Sequence, residues 1–232
     1  MGICVRRIMY NIVENYMTNV DEVLSLVKKY DHLFKNRDQA NKFTTAYGTA
    51  SLKQIHQNFM PDELRDAISS SSLRIYSTDD LVGAALGSCL KNVYAIATGI
   101  SDGLGFGDNA RAALLTRSMN EMISLGSRIG GNQETFFGLS GFGDLIGTCM
   151  GEWSRNRNFG LEVATGKSPS DIENAQKTVV EGYWATKCFH EKCKELNVEM
   201  PILNEIYEIL YNDKKPSEAL VALMTRDLKR ER

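Results

Sequence analysis

One segment of the chain, Leu81 to Ile100, limits the fold more than any other. It reads LVGAALGSCLKNVYAIATGI and contains a single charged side chain, Lys91. About 20 small and apolar residues, at a rise of about 1.5 Å each, make a helix of about 30 Å. Its glycines, alanines and serine leave little side-chain bulk on parts of the surface. The segment therefore predicts a long helix that other helices approach closely.

The rest of the C-terminal 150 residues shows helical spacing and loses the strand signals. Thr78, Asp79 and Asp80 offer a cap for the long helix, and Asn109 offers one for the next. The pattern predicts an all-α domain. Its further helices are expected at Asn109–Ile129, Leu145–Met150, Arg157–Thr165, Glu181–Leu196, Ile202–Tyr211 and Ser217–Thr225.

The first 82 residues are of a different kind. They hold two of the chain's 19 glycines, Gly2 and Gly48, and the other 17 lie between Gly83 and Gly182. A dinucleotide-binding domain begins with a strand and a glycine-rich turn, because glycine lets the backbone approach a pyrophosphate. No complete domain of that kind is expected here. The patterns predict helices at Val20–Tyr30 and Pro61–Ile68, and strands at Phe43–Ser51 and Leu73–Ser77.

Composition places the chain among ordinary globular proteins. It has 232 residues, is 43% hydrophobic and 24% charged, and carries a net charge of −2. That charge gives no reason to expect nucleic acid or an anionic membrane surface as partner. No run of 18 apolar residues occurs, so no membrane insertion is expected. Five scattered cysteines and three isolated histidines predict reduced thiols in a cytoplasmic protein, surface histidines and no metal site.

Two charged residues in apolar surroundings are candidates for chemistry. Lys91 lies between Leu90 and Val93, where an ammonium group is costly unless it is paired or reaches the surface. Asp144 is the one charge in the glycine-rich stretch from Gly138 to Cys149. A carboxylate there holds the charge of a lysine or caps a helix. Both readings stay open for each residue.

Two further segments each allow a ligand-binding interpretation and a purely structural one. From Ser154 to Asn158, two arginines alternate with short polar side chains ahead of a helix. Arginine forks and helix N-termini suit phosphate, while a solvated loop is the alternative. The segment Gly103–Gly107 reads GLGFG but lies between two helices. A tight helix–helix connection is favoured there over a nucleotide loop.

Taken together, these motifs resemble one family. LKNVYAIATGISDGLGFGDNARAALLTRSMNEM, GLSGFGDLIGTC, SRNRNFG and VVEG stand in the order found in the NAD(P)-dependent glycerol-3-phosphate dehydrogenases of the bacterial type. The resemblance covers roughly Leu73 to Met224. It implies a mainly α fold, in which residues 77–232 form a helical substrate-binding domain like the C-terminal domain of 6-phosphogluconate dehydrogenase. Residues 1–76 then correspond to an incomplete remnant of the Rossmann-type NAD(P)-binding domain.

The resemblance also implies an activity and its residues. The family reduces dihydroxyacetone phosphate to sn-glycerol 3-phosphate with NADH or NADPH, for phospholipid synthesis, and a homodimer is compatible with it. Lys91 matches the catalytic lysine that exchanges a proton with substrate. The other matched positions are Asn92, Asp144, Thr148, Ser154, Arg155 and Asn156 for substrate, and Arg155, Val179 and Glu181 for cofactor.

The chain also departs from the family pattern. GxGxxG, a second lysine of the nucleotide domain and a Gly-Pro-Ser-Phe-Ala stretch are missing, residues 1–33 match no family motif, and Trp153 is an unusual neighbour for Ser154. One hypothesis is a dehydrogenase; its main alternative is a truncated, catalytically silent fragment that retains the substrate domain. A helical interaction module and a dehydrogenase for another substrate are weaker alternatives. The choice between NAD and NADP is open, because the residue that reads the ribose belongs to the missing half.

Overall fold

The fold is known from a computed structural model that describes Tyr76, residues 78–175 and residues 178–227. Every regular element in these ranges is helical, and none of the described residues forms a strand. This confirms the all-α prediction for the C-terminal part. The expected strands and the Rossmann-type remnant at residues 1–76 lie outside the described residues, apart from Tyr76.

Nine α-helices and one π-helical turn make up the described ranges. They are α1 Leu81–Gly103, α2 Asp108–Ile129, α3 Gln133–Phe137, the π turn Leu139–Gly143, α4 Asp144–Met150, α5 Arg155–Ala164, α6 Pro169–Ala175, α7 Glu181–Leu196, α8 Pro201–Tyr211 and α9 Pro216–Met224.

The predicted long helix is present and runs to Gly103. Asp80 caps it as expected, because its carboxylate accepts a hydrogen bond from the backbone N–H of Gly83 at 2.7 Å. The cap expected at Asn109 is wrong: α2 begins at Asp108, and Gly107 stands at its N-cap position. The Gly103–Gly107 segment is the tight connection that was favoured, with Gly105 at φ +82°.

Helix α5 begins two residues earlier than its periodicity suggested. Ser154 is its N-cap and accepts a hydrogen bond from the backbone N–H of Arg157 at 3.3 Å. The Ser154 cap therefore starts the helix at Arg155 and not at Arg157, about half a turn earlier than expected. The short elements α3, α6 and the π turn were not predicted, since five to seven residues carry little periodicity.

Helix α1 is the centre of the domain. Residues 92–100 of α1 are all buried, and α5, α4, α2 and α7 pack around it. At Gly99, a Cβ would lie 2.0 Å from the carbonyl oxygen of Arg157, and at Gly160 one would lie 2.2 Å from that of Ile96. The two helix backbones therefore touch through facing glycines, which is the close approach that the small residues predicted.

The length and apolar composition of α1 would also suit a membrane-spanning helix. However, 61% of its most apolar 18-residue window is buried inside the domain. A core helix has this property, because an apolar helix surrounded by other helices needs no lipid.

One expectation about a histidine is wrong. His190, predicted at the surface, is only 5% exposed. Its ring stacks on Tyr207 with 3.7 Å between ring centroids, and its Nδ1 lies 3.1 Å from Oδ1 of Asn204. An imidazole can be buried where an aromatic ring covers its face and a polar group contacts one of its nitrogens. An isolated histidine in the sequence shows neither of these partners.

Candidate functional site

Lys91 and Asp144 form an ion pair across 53 positions of sequence. Lys91 Nζ lies 2.6 Å from Oδ1 of Asp144, and the two side chains are 20% and 16% exposed. The pairing reading is therefore right for the lysine. Asp144 begins α4, but its side chain does not cap that helix, so the cap reading is wrong. The position of Lys91 on α1 shields its ammonium group from most water, and the Asp144 carboxylate compensates for this loss of hydration.

A second group of polar side chains lies beside this pair. Asn92 Nδ2 donates to Oε2 of Glu181 at 3.0 Å, and Asn156 Nδ2 donates to Oδ1 of Asn92 at 3.0 Å. Asn156 Oδ1 in turn accepts from the backbone N–H of Gly182 at 2.8 Å. These bonds join α1, α5 and the start of α7 at one place.

Gly182 is a position where only glycine fits. A Cβ there would lie 2.5 Å from the carbonyl oxygen of Asn92 and 2.8 Å from Oδ1 of Asn156. The first turn of α7 can thus approach α1 and α5 closely enough for its N–H to reach the Asn156 amide. Gly182 ends the VVEG motif, but no local pattern in the sequence indicated this close approach.

Arg155 is the exposed cation of the site. Its guanidinium lies 3.7 Å from Oε1 of Glu181, and the two side chains are 54% and 58% exposed. A pair so open to water holds the arginine only weakly. The guanidinium is therefore available to an anionic ligand.

Arg157, the other arginine of the motif, has a different environment. It donates to Oδ2 of Asp102 through Nε at 3.0 Å and through an Nη at 2.6 Å. Arg111 donates to Oδ1 of the same carboxylate. Asp102 was missed in the sequence, although a carboxylate in the last turn of a helix is disfavoured by the helix dipole and needs a cation.

The remaining predicted positions surround these groups. The Thr148 hydroxyl donates to the backbone carbonyl of Asp144 at 2.7 Å, and the Thr148 side chain is buried. Ser154 is buried as the cap of α5, whereas Val179 precedes α7 and is exposed. Trp153, the unusual neighbour, is 67% exposed beside the start of α5.

The charges of the site also reach a neighbouring thiol. Burial and the charge of Glu181 raise the pKa of Cys89 and the charge of Lys91 lowers it, with a net value of about 11. Cys89 is thus a neutral, inert thiol at neutral pH.

Comparison with known proteins agrees with the geometry. The family model for the C-terminus of NAD-dependent glycerol-3-phosphate dehydrogenase matches residues 80–221. The glycerol-3-phosphate dehydrogenase [NAD(P)+] of Solidesulfovibrio magneticus is 50% identical over 169 residues, which are 73% of this chain and 51% of that protein. The crystal structure of glycerol-3-phosphate dehydrogenase from Coxiella burnetii has 41% identity and a TM-score of 0.67, covering 71% of this chain and 51% of that one.

A third relative extends the match toward the N-terminus. The glycerol-3-phosphate dehydrogenase [NAD(P)+] of Halothermothrix orenii is 38% identical over 222 residues, which are 95% of this chain and 62% of that protein. The matched segment therefore includes most of residues 1–75, among them part of the stretch 1–33 that carried no recognisable motif. The chain spans about half the length of most relatives it matches. It belongs to the NAD(P)-dependent glycerol-3-phosphate dehydrogenase family, which is a family of oxidoreductases, and it contains that family's C-terminal domain.

Proposed function

We propose that this chain provides the substrate-binding and proton-transferring half of a glycerol-3-phosphate dehydrogenase. Its substrate pair would be dihydroxyacetone phosphate and sn-glycerol 3-phosphate. The observation that carries the proposal is the Lys91–Asp144 pair at 2.6 Å, shielded from most solvent and adjacent to Asn92. The division into a remnant at residues 1–76 and a substrate domain at residues 77–232 remains part of this proposal.

Lys91 is suited to proton exchange at a carbonyl oxygen. When a carbonyl is reduced, negative charge develops on its oxygen, and a nearby ammonium stabilises that charge and then delivers a proton. Asp144 holds the ammonium in place and balances its charge while no substrate is present. In the reverse reaction, the same lysine accepts the proton of the alcohol.

The phosphate of the substrate would bind at the start of α5. Arg155 offers an exposed guanidinium, and Asn156 offers a buried amide, on the first turn of that helix. The N–H groups of a first helical turn have no partner within the helix, and they attract anions. Binding energy from this non-reacting group would hold the carbonyl near Lys91.

NAD or NADP would contact only a small part of the described residues. Arg155, Val179 and Glu181 are all exposed and lie near the start of α7, where they could contact one side of the cofactor. When bound, the nicotinamide supplies hydride to the carbonyl carbon. The GxGxxG turn that would hold the pyrophosphate is absent from the sequence. Turnover would therefore require a nucleotide-binding half in addition to these 232 residues.

The test separates binding from turnover. The full 232-residue chain is titrated with dihydroxyacetone phosphate by calorimetry, and oxidation of NADH and NADPH is followed with the same substrate. We expect saturable binding, at least tenfold weaker in Arg155→Ala, and any turnover to be lost in Lys91→Met. Binding without turnover would identify the catalytically silent alternative. Absence of binding would refute the proposal.

A further inference from the structure

A closed ring of hydrogen bonds connects the start of α7 to the predicted phosphate site. From the Glu181 carboxylate it passes through the amides of Asn92 and Asn156 and returns to the N–H of Gly182, the residue after Glu181. The ring has one member on α1, one on α5 and two on α7. Its two side-chain amides, Asn92 and Asn156, are 6% and 7% exposed.

The chemistry of the end groups determines the orientation of the amide of Asn92. A carboxylate and a backbone carbonyl can only accept hydrogen bonds. Asn92 therefore presents its NH2 group to Glu181 and to the Ser88 carbonyl, which lies 3.4 Å away. Its oxygen consequently faces Asn156.

The amide of Asn156 is oriented from the other end of the ring. The N–H of Gly182 can only donate, so Asn156 must offer it an oxygen. The NH2 group of Asn156 then faces Asn92 and uses one of its two hydrogens there. None of the described residues accepts its second hydrogen, which leaves it for a ligand oxygen at the start of α5.

The two oxygens of the Glu181 carboxylate have separate partners. Oε2 accepts from Asn92, while Oε1 faces the guanidinium of Arg155 at 3.7 Å. The family resemblance assigns Glu181 a cofactor contact only. The ring gives this carboxylate a second task, on the substrate side.

We propose that Glu181 is a positioning residue for Asn156. Gly182 sets which end of the Asn156 amide carries the oxygen, and Glu181 fixes the Asn92 oxygen that holds the Asn156 NH2 group, with one N–H free for a substrate phosphate oxygen. This inference rests on the proposed function for the identity of the ligand. The orientation of the amides does not depend on any ligand.

Two substitutions of Glu181 separate positioning from charge. Glu181→Gln and Glu181→Ala both remove the negative charge beside Arg155, but only Gln retains an oxygen that accepts from Asn92. We expect the Ala variant to bind dihydroxyacetone phosphate about fivefold more weakly than the Gln variant, the effect of one hydrogen bond of about 1 kcal/mol. The difference should disappear when Asn156→Ala is present in both.

Equal affinity of the Gln and Ala variants would overturn the proposal, as would a difference that persists without Asn156. Glu162→Ala is the matched control, because Glu162 is a half-exposed carboxylate on α5 that pairs with Lys167 away from the site. It should bind the probe as the unmodified chain does.

A spectroscopic measurement tests the positioning of Asn156 without any substrate. The side-chain amide signal of Asn156 in a 15N spectrum is identified by its loss in Asn156→Asp. We expect the chemical shift of this signal to change in Glu181→Ala and to be unchanged in Glu181→Gln. An unchanged chemical shift in the Ala variant refutes positioning.

If the unmodified chain binds no dihydroxyacetone phosphate, the proposed function fails, while the amide signals still decide this inference. Should Glu181→Ala not fold, Glu181→Ser also lacks an acceptor that reaches Asn92, and the Asn156 signal should move in it as well; an unmoved signal would again refute positioning.

Discussion

Asp102, in the last turn of α1, forms an ion pair with Arg157 on α5 through two hydrogen bonds from one guanidinium. Its other oxygen accepts from Arg111 on α2, and the Asp102 side chain is 7% exposed. One carboxylate thus joins three helices, and one of them, α5, carries the predicted phosphate site at its start. Arg157 therefore has a structural task, which leaves Arg155 as the arginine available to a ligand.

This relationship predicts a large loss of stability when Asp102 is removed. Asp102→Ala leaves two arginines without their shared partner, and we expect the free energy of unfolding to fall by about 3 kcal/mol. Urea denaturation followed by circular dichroism measures it. Asp108→Ala is the control, because Asp108 also pairs with Arg111 but is 95% exposed, so its loss should cost at most about 0.5 kcal/mol. Similar losses in both variants would contradict the structural role.

The crossing of α1 and α5 predicts opposite effects for two glycine substitutions. Gly99→Ala places a methyl group 2.0 Å from the carbonyl oxygen of Arg157, so the helices must separate, at a cost of about 2 kcal/mol or more. Gly147→Ala in α4 meets nothing within 4 Å and should stabilise the chain by about 0.5–1 kcal/mol through helix propensity. Thermal melts of the two variants test the pair. Stabilisation by Gly99→Ala would show that the crossing is looser than described.

Glu121 predicts a stability that falls as the pH rises. The carboxylate accepts from the Tyr94 hydroxyl and from the backbone N–H groups of Ile202 and Leu203, yet burial raises its pKa to about 7. The folded state therefore binds more protons than the unfolded state between about pH 4.5 and pH 7. Across this range, unfolding free energies should decline relative to Glu121→Gln by on the order of 2 kcal/mol.

A control and a contrary outcome define the test of Glu121. Glu134→Gln alters an exposed carboxylate on α3 and should keep the pH dependence of the unmodified chain. A constant difference between the unmodified chain and Glu121→Gln over this pH range would show that Glu121 does not titrate differently on folding.

His190 predicts the opposite dependence. Burial, together with the charge of Lys194, lowers the pKa of the imidazole below its usual 6.5. The neutral form is thus favoured by folding, and its contribution to stability is present above about pH 6.5 and is lost as the pH falls below it. His190→Phe keeps the stack on Tyr207 and should lose less stability than the unmodified chain between pH 7 and pH 5. The same urea titrations measure this change, and a parallel decline in both proteins would contradict it.

Local sequence patterns were enough to predict the long apolar helix, the all-α character of the C-terminal part and the segments that contain the candidate site. These follow from local periodicity, from capping residues such as Asp80, and from motifs contiguous in sequence. The partners of these residues follow from helix packing and are not encoded in any single segment. Lys91 meets Asp144 across 53 positions, Arg157 meets Asp102 rather than a ligand, and Gly182 closes a ring with Asn92 and Asn156. Local patterns encode helix boundaries, whereas pairing depends on how closely helices cross, and that distance is set by glycines whose packing partners are far away in the chain.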